Sequence, residues 1–136
     1  SGGRLGAALT AIPGASEVFP GGIVAYNNLI KEKLLDVPAK VIKNEGAVSS
    51  LTVKEMAKGV KKRFGTTWGI AISGVAGPTG GTNKKPVGLV FIGLAGEKIT
   101  ESIEINFGNT KERNEIQQLS VIRSLDLLRL FLLQHS

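Results

Sequence analysis

Cysteine is absent from the 136-residue chain, and histidine occurs once, as His135 beside the C-terminus. The first absence excludes disulfides and thiolate metal sites. The second excludes a Ser-His-Asp triad, and together they leave no metal and no cofactor to expect. Aromatics are scarce: five Phe, one Tyr and one Trp, most of them inside apolar runs. Modules that handle single-stranded nucleic acid stack bases on exposed aromatics, so a nucleic-acid partner is not expected. No apolar run reaches the roughly 18 residues that span a bilayer, and no charged-then-apolar leader precedes a cleavage site. The chain is expected to be soluble and cytoplasmic, with no membrane partner.

What is present is enough apolar material for a real core: 42% of the residues are hydrophobic, and the length suits one domain over residues 1–136. The net charge is +6. Lys54, Lys58, Lys61 and Lys62 contribute much of it on one face of a helix, opposite Val53, Met56, Ala57, Val60 and Phe64. That is the pattern of a solvated face rather than of a binding surface.

Glycine is abundant, with 18 residues, and it clusters where apolar runs stop. Trp68-Gly69-Ile70-Ala71-Ile72 reads as a short buried strand, and Val87 to Ala95 reads as another. Between them runs Ser73-Gly74-Val75-Ala76-Gly77-Pro78-Thr79-Gly80-Gly81 and on to Gly88, a segment whose backbone N–H groups can approach a ligand closely.

Along the chain, Arg4 to Ala11 predicts a short helix that stops before Pro13. The preceding Ser1-Gly2-Gly3 suits the turn before a helix, where free N–H groups favour an anion. Glu17 to Tyr26 predicts a strand interrupted at Pro20-Gly21-Gly22, with Ile23 and Val24 its most strand-like part. Asn27 caps a helix to about Leu35, Pro38 to Asn44 forms a weak helical turn, and Thr52 with Glu55 has the spacing of a capping box for a helix ended by Gly65. After the two core strands, Gly96-Glu97 turns into a strand over Lys98 to Phe107, in which Ile99, Ile103, Ile105 and Phe107 alternate with polar residues. The last helix, about Thr110 to Gln134, becomes apolar nearly all round in Leu127-Leu128-Arg129-Leu130-Phe131-Leu132-Leu133, more than one packed face requires. A contact with a second copy of the chain through this helix is expected.

Tyr26 and Lys31 fall at a strand end and one turn into the next helix, where ligand crevices of open α/β sheets lie. Ser73 follows the first core strand and can face the same crevice or cap the turn through local hydrogen bonds. Without histidine, a serine activated by a lysine of lowered pKa remains available for acyl transfer. Arg113 can reach an anion or lie on the surface among Lys111, Glu112 and Glu115.

Taken in order, Gly21-Gly22-Ile23-Val24-Ala25-Tyr26-Asn27-Asn28, Lys31, Glu45-Gly46-Ala47-Val48-Ser49, Ile72 to Gly81 and Lys85-Pro86-Val87-Gly88 resemble the CinA C-terminal-domain family over essentially the whole chain. The resemblance implies a three-layer α/β/α sandwich around a mixed, mostly parallel sheet with one antiparallel hairpin. It also implies hydrolysis of nicotinamide mononucleotide to nicotinate mononucleotide and ammonia. Tyr26, Lys31 and Ser73 match the family's pocket Tyr, Lys and Ser or Thr, and Arg113 matches an arginine at the start of the last helix, with Lys111 as the competing equivalent. Substrate binding would fall to Ser1, Gly2, Gly3, Asn28, Gly74, Gly77 and Arg113. The family's nucleophile stands in a Glu-Ser-Cys-(Thr/Ser)-Gly-Gly turn whose end aligns with Ser1-Gly2-Gly3. The attacking serine, with the first helix and strand, is therefore expected upstream of Ser1. The competing expectation is a non-catalytic nucleotide-binding or docking module.

Overall fold

The computed structural model describes residues 1–135. Its elements in chain order are α1 (Arg4–Thr10), α2 (Asn28–Leu35), α3 (Ala39–Glu45), α4 (Ser50–Phe64), β1 (Gly69–Gly74), β2 (Leu89–Ala95), β3 (Thr100–Asn106) and α5 (Arg113–Gln134). A 3-10 turn at Ala15–Glu17 follows α1.

The strands form one sheet in the order β1-β2-β3. Gly74 pairs with Val90 and Gly69 with Ala95 on one side of β2, while Leu89 pairs with Asn106 and Ala95 with Thr100 on the other, all antiparallel. For β2 and β3 the short Gly96-Glu97 reversal explains the direction, since it cannot supply the long crossover that a parallel pair requires, whereas β1 and β2 are joined by the long glycine-rich segment. The mostly parallel sheet expected from the resemblance is thus not what the described residues build; their fold is mixed α/β with an antiparallel sheet.

β2 is buried along its whole length and faces two cores. Leu89, Phe91 and Ala95 pack with Val53, Met56 and Ala57 of α4 and with Leu35 of α2. Val90 and Ile92 pack with Ile116 of α5, with Leu127 and Ile103 beside them. This alternation follows from the two-residue period of a strand. Helix α4 lies close to its neighbours because of Gly59, Gly69 and Gly93. A Cβ on Gly59 would overlap the Leu35 carbonyl of α2, and one on Gly93 would overlap the Val53 carbonyl of α4.

Helix ends follow their local chemistry. The Asn27 side chain accepts the N–H of Ile30 at 2.9 Å, and Gly65 takes the left-handed conformation that stops α4. The start of α4 differs from the capping box predicted at Thr52 and Glu55. Ser49 is the cap, accepting from the Thr52 N–H at 3.1 Å, while the Thr52 hydroxyl donates to the Gly46 carbonyl at 2.6 Å and Glu55 pairs with Lys58. Serine one turn earlier competes successfully because its short side chain reaches the N–H three residues on.

The strand predicted within Glu17–Tyr26 does not form. Residues 18–27 run without a ladder to β1–β3, although alternation survives: Ile23 and Ala25 pack on the core, and Val24 and Tyr26 point outward. Pro20 has no N–H to donate, and Gly21-Gly22 weaken extended pairing, so side-chain burial rather than hydrogen bonding holds this segment.

The excess of leucine in α5 divides in two. Leu127 faces the second core, and Phe131 meets Trp68 edge-on at 6.3 Å, with His135 at 5.9 Å from both rings. Leu130, Leu132 and Leu133 remain exposed. Among the described residues no helix is long and apolar enough to cross a membrane.

Candidate functional site

The end of β1, the glycine-rich loop after it, the first turns of α5, the N-terminal residues and α2 enclose a cavity of about 390 Å³. Gly74 closes β1 where no side chain fits, since a Cβ there would collide with Val90 and the Leu89 carbonyl, and the loop beyond is anchored by Val75 N–H to Leu89 O at 2.9 Å and Gly88 N–H to Val75 O at 2.7 Å.

Lys31 lies on the inner face of α2, one turn before Leu35, and only 6% of it is exposed. Its Nζ donates to the Ala25 carbonyl at 2.9 Å. Burial disfavours the charged ammonium and lowers its pKa from the ordinary 10.5. Tyr26 stands at the mouth, 77% exposed. Arg113, the first residue of α5, bridges the opening, donating from Nη2 to the Tyr26 hydroxyl at 3.3 Å and from Nη1 to the Gly77 carbonyl at 3.1 Å.

Ser73 also lines the cavity, but its hydroxyl donates to the Ala47 carbonyl at 2.7 Å. A hydroxyl has one proton and two lone pairs, so in this state its oxygen is an acceptor toward the cavity. Nearby, Lys85 Nζ donates to the Val48 carbonyl at 2.5 Å and sits 5.4 Å from the centre of the Phe91 ring. Ser73 and Lys85 therefore pin consecutive carbonyls of the segment before α4 to the two ends of the glycine-rich loop.

Of the residues singled out in the sequence, Ser1, Gly2, Tyr26, Lys31, Ser73, Gly74, Gly77 and Arg113 share this cavity. Gly3 and Asn28 do not line it. Gly3 caps α1 with φ 91°, and Asn28 is the exposed first residue of α2. Lys111 turns its Nζ back to the Phe107 carbonyl at 3.4 Å, so Arg113 is the cation at the cavity. Thr79, Gly80, Gln117 and Ser120 line it as well. Thr79 and Gly80 belong to the glycine-rich segment singled out in the sequence, whereas Gln117 and Ser120 were missed; only the helical spacing of Gln117 from Arg113 gave a signal, and it required knowing which face of α5 is inward.

The cavity's ionisable side chains are Lys31, Arg113 and Tyr26, and no Asp or Glu lines it. This composition suits an anionic ligand with an electrophilic centre near an amine of lowered pKa. Among the described residues, no group of three or more His, Cys, Asp or Glu side chains could hold a metal ion.

Comparison with known proteins gives a consistent picture. A family model described as the CinA C-terminal domain matches residues 1–132. Among curated relatives, a "CinA-like protein" from Prochlorococcus marinus is 60% identical over all 136 residues, and one from Synechococcus sp. is 56% identical over the same span. The chain spans 32% of the length of each. Among solved structures, the competence/damage inducible protein CihA from Agrobacterium tumefaciens is 36% identical, with a TM-score of 0.90 over 93% of this chain and 77% of that one. The competence damage-inducible protein A (ComA) from Klebsiella pneumoniae is 30% identical, with a TM-score of 0.93 over 99% and 83%.

Proposed function

The chain belongs to the CinA C-terminal domain family, and we propose on that premise that its cavity hydrolyses the carboxamide of nicotinamide mononucleotide to nicotinate mononucleotide and ammonia. The observation that carries this reading is the buried, carboxylate-free Lys31 amine in the same cavity as Tyr26, Ser73 and Arg113.

A serine supplied from upstream of Ser1 adds to the carboxamide carbon, and its proton passes to neutral Lys31. Burial favours the neutral amine, which is what a base requires. Tyr26 relays the proton to the departing nitrogen, the C–N bond breaks, and ammonia leaves. Water then hydrolyses the acyl ester by the reverse use of the same groups. The N–H groups of Gly74 and Gly77 stabilise the developing oxyanion, where one donor is worth about 2.7 to 4 kcal/mol. Ser73 joins them when it exchanges Ala47 for substrate. Arg113 holds the phosphate, with Ser1 and Gly2 as the adjoining wall. The exposed leucines of α5 pair with those of a second copy.

The test is ammonia release from nicotinamide mononucleotide by the protein with its natural N-terminus, beside the Lys31→Ala variant. Turnover that falls by orders of magnitude in the variant supports the reading. Calorimetric binding without turnover in the parent leaves a nucleotide-binding module, and retained turnover in the variant removes Lys31 from the mechanism.

A further inference from the structure

Helix α5 presents a second polar side chain to the cavity one turn after Arg113. Gln117 lines the wall, and both of its amide ends are accounted for. Its Oε1 accepts from Arg4 Nε at 3.1 Å, while the same guanidinium reaches Asn114 Oδ1 through Nη2 at 3.0 Å. Its Nε2 lies on the other side, as the nearest atom to where a side chain on Gly2 would begin, 4.0 Å away. Arginine is only a donor, so Arg4 fixes which end of the amide is oxygen and leaves the NH2 turned to the cavity wall shared with Gly2.

We propose that Gln117 is a substrate-binding residue that donates this N–H to a phosphoryl oxygen of the ligand, with Arg4 as its positioning residue. The proposal rests on the mononucleotide reading for the identity of the ligand. Gln117 and Arg113 stand four residues apart on one helix, so their side chains are neighbours on its cavity face. Arg113 spends two of its five N–H donors on Tyr26 and Gly77 and keeps the rest. A phosphoryl group, with several charged acceptor oxygens, suits a guanidinium and a carboxamide donor together better than a neutral ribose hydroxyl or carbonyl does. No carboxylate in the cavity opposes it.

The experiment titrates inorganic phosphate into the parent protein while following the side-chain amide resonance of Gln117 and the Nε resonance of Arg113. Both resonances are expected to shift with one saturation curve. In Gln117→Glu the acceptor for Arg4 is kept, so thermal unfolding stays near the parent, but an anion now faces the phosphate and affinity falls by about tenfold or more. Arg4→Met shifts affinity in the same direction by less. In turnover, Gln117→Glu raises KM for nicotinamide mononucleotide by a much larger factor than KM for the phosphate-free riboside. An Arg113 shift with the Gln117 amide unmoved, phosphate that moves neither, or equal losses for nucleotide and riboside overturns the proposal. A parent that shifts Gln117 with phosphate yet releases no ammonia loses the hydrolase reading while this proposal stands.

Discussion

Lys31 Nζ lies 2.9 Å from the carbonyl oxygen of Ala25, six residues earlier, and no carboxylate pairs with it among the described residues. A buried ammonium with one neutral acceptor is poorly compensated, and its lowered pKa is the consequence. If Lys31 is the base, kcat/KM for ammonia release rises with pH through that lowered pKa, below the ordinary lysine range. Lys31→Arg, whose guanidinium stays protonated, loses both the rise and the activity. A pH profile of the same shape in Lys31→Arg argues against the assignment.

The same burial ties stability to pH. The folded chain releases the Lys31 proton at lower pH than the unfolded chain does, so between the lowered pKa and 10.5 the unfolded state binds more protons and stability rises with pH. Below that window the amine is charged in both states and the burial penalty is fully present; above it the penalty is gone. Urea unfolding of the parent minus that of Lys31→Met should therefore grow more favourable to the parent as pH climbs. A difference flat in pH contradicts the linkage.

Gly59→Ala tests the packing that places Lys31. In an open helix this change gains about 1 kcal/mol. Here the new methyl meets the Leu35 carbonyl, and overpacking of that kind costs about 1–3 kcal/mol, so the gain is cancelled and a net loss of up to about 2 kcal/mol is expected in urea melts. Ammonia release should drop too, because α2 must move to make room. An unchanged or higher unfolding midpoint would show that the helices separate freely.

Arg113→Met removes the cation at the cavity mouth. Hydrogen bonds to charged groups contribute about 1.5–3 kcal/mol, so calorimetry should find nicotinamide mononucleotide bound about ten- to hundredfold more weakly. The parent's affinity should also weaken with added salt more than the variant's. Equal affinity in the two proteins would place the phosphate elsewhere.

Leu132 and Leu133 are 43% and 68% exposed on the outer side of α5. If copies of the chain pair through this face, Leu132→Lys shifts the sedimenting species toward monomer without changing the unfolding midpoint of the monomer. A parent already monomeric at high concentration dismisses the pairing.

Much of this fold could be read from the residues because its elements are locally determined. The Asn27 and Gly65 caps, the apolar stripe of α4 and the glycine stop after β1 act within a turn or two of themselves. The reading failed where the outcome depended on a distant partner. Ile23 and Val24 have strand chemistry and even keep strand alternation, yet no ladder forms around Pro20 and the paired glycines. Thr52 has capping chemistry, but Ser49 was better placed. At the site, Tyr26, Lys31, Ser73 and Arg113 were named from motif and resemblance, whereas Gln117 was invisible until Arg4 and Gly2 were seen beside it.

By itself the sequence determined the list of helices and core strands, the absence of cysteine chemistry and the cationic character of the candidate site. Caps, periodicity and residue type are properties of neighbours along the chain. Tertiary structure decided the antiparallel pairing of β1 with β2, the buried state of Lys31, and the turning of the Ser73 hydroxyl to Ala47. Each of these depends on which groups meet across long separations in sequence. Desolvation and hydrogen-bond commitment are set by such meetings, so they exist only once the chain has closed around them.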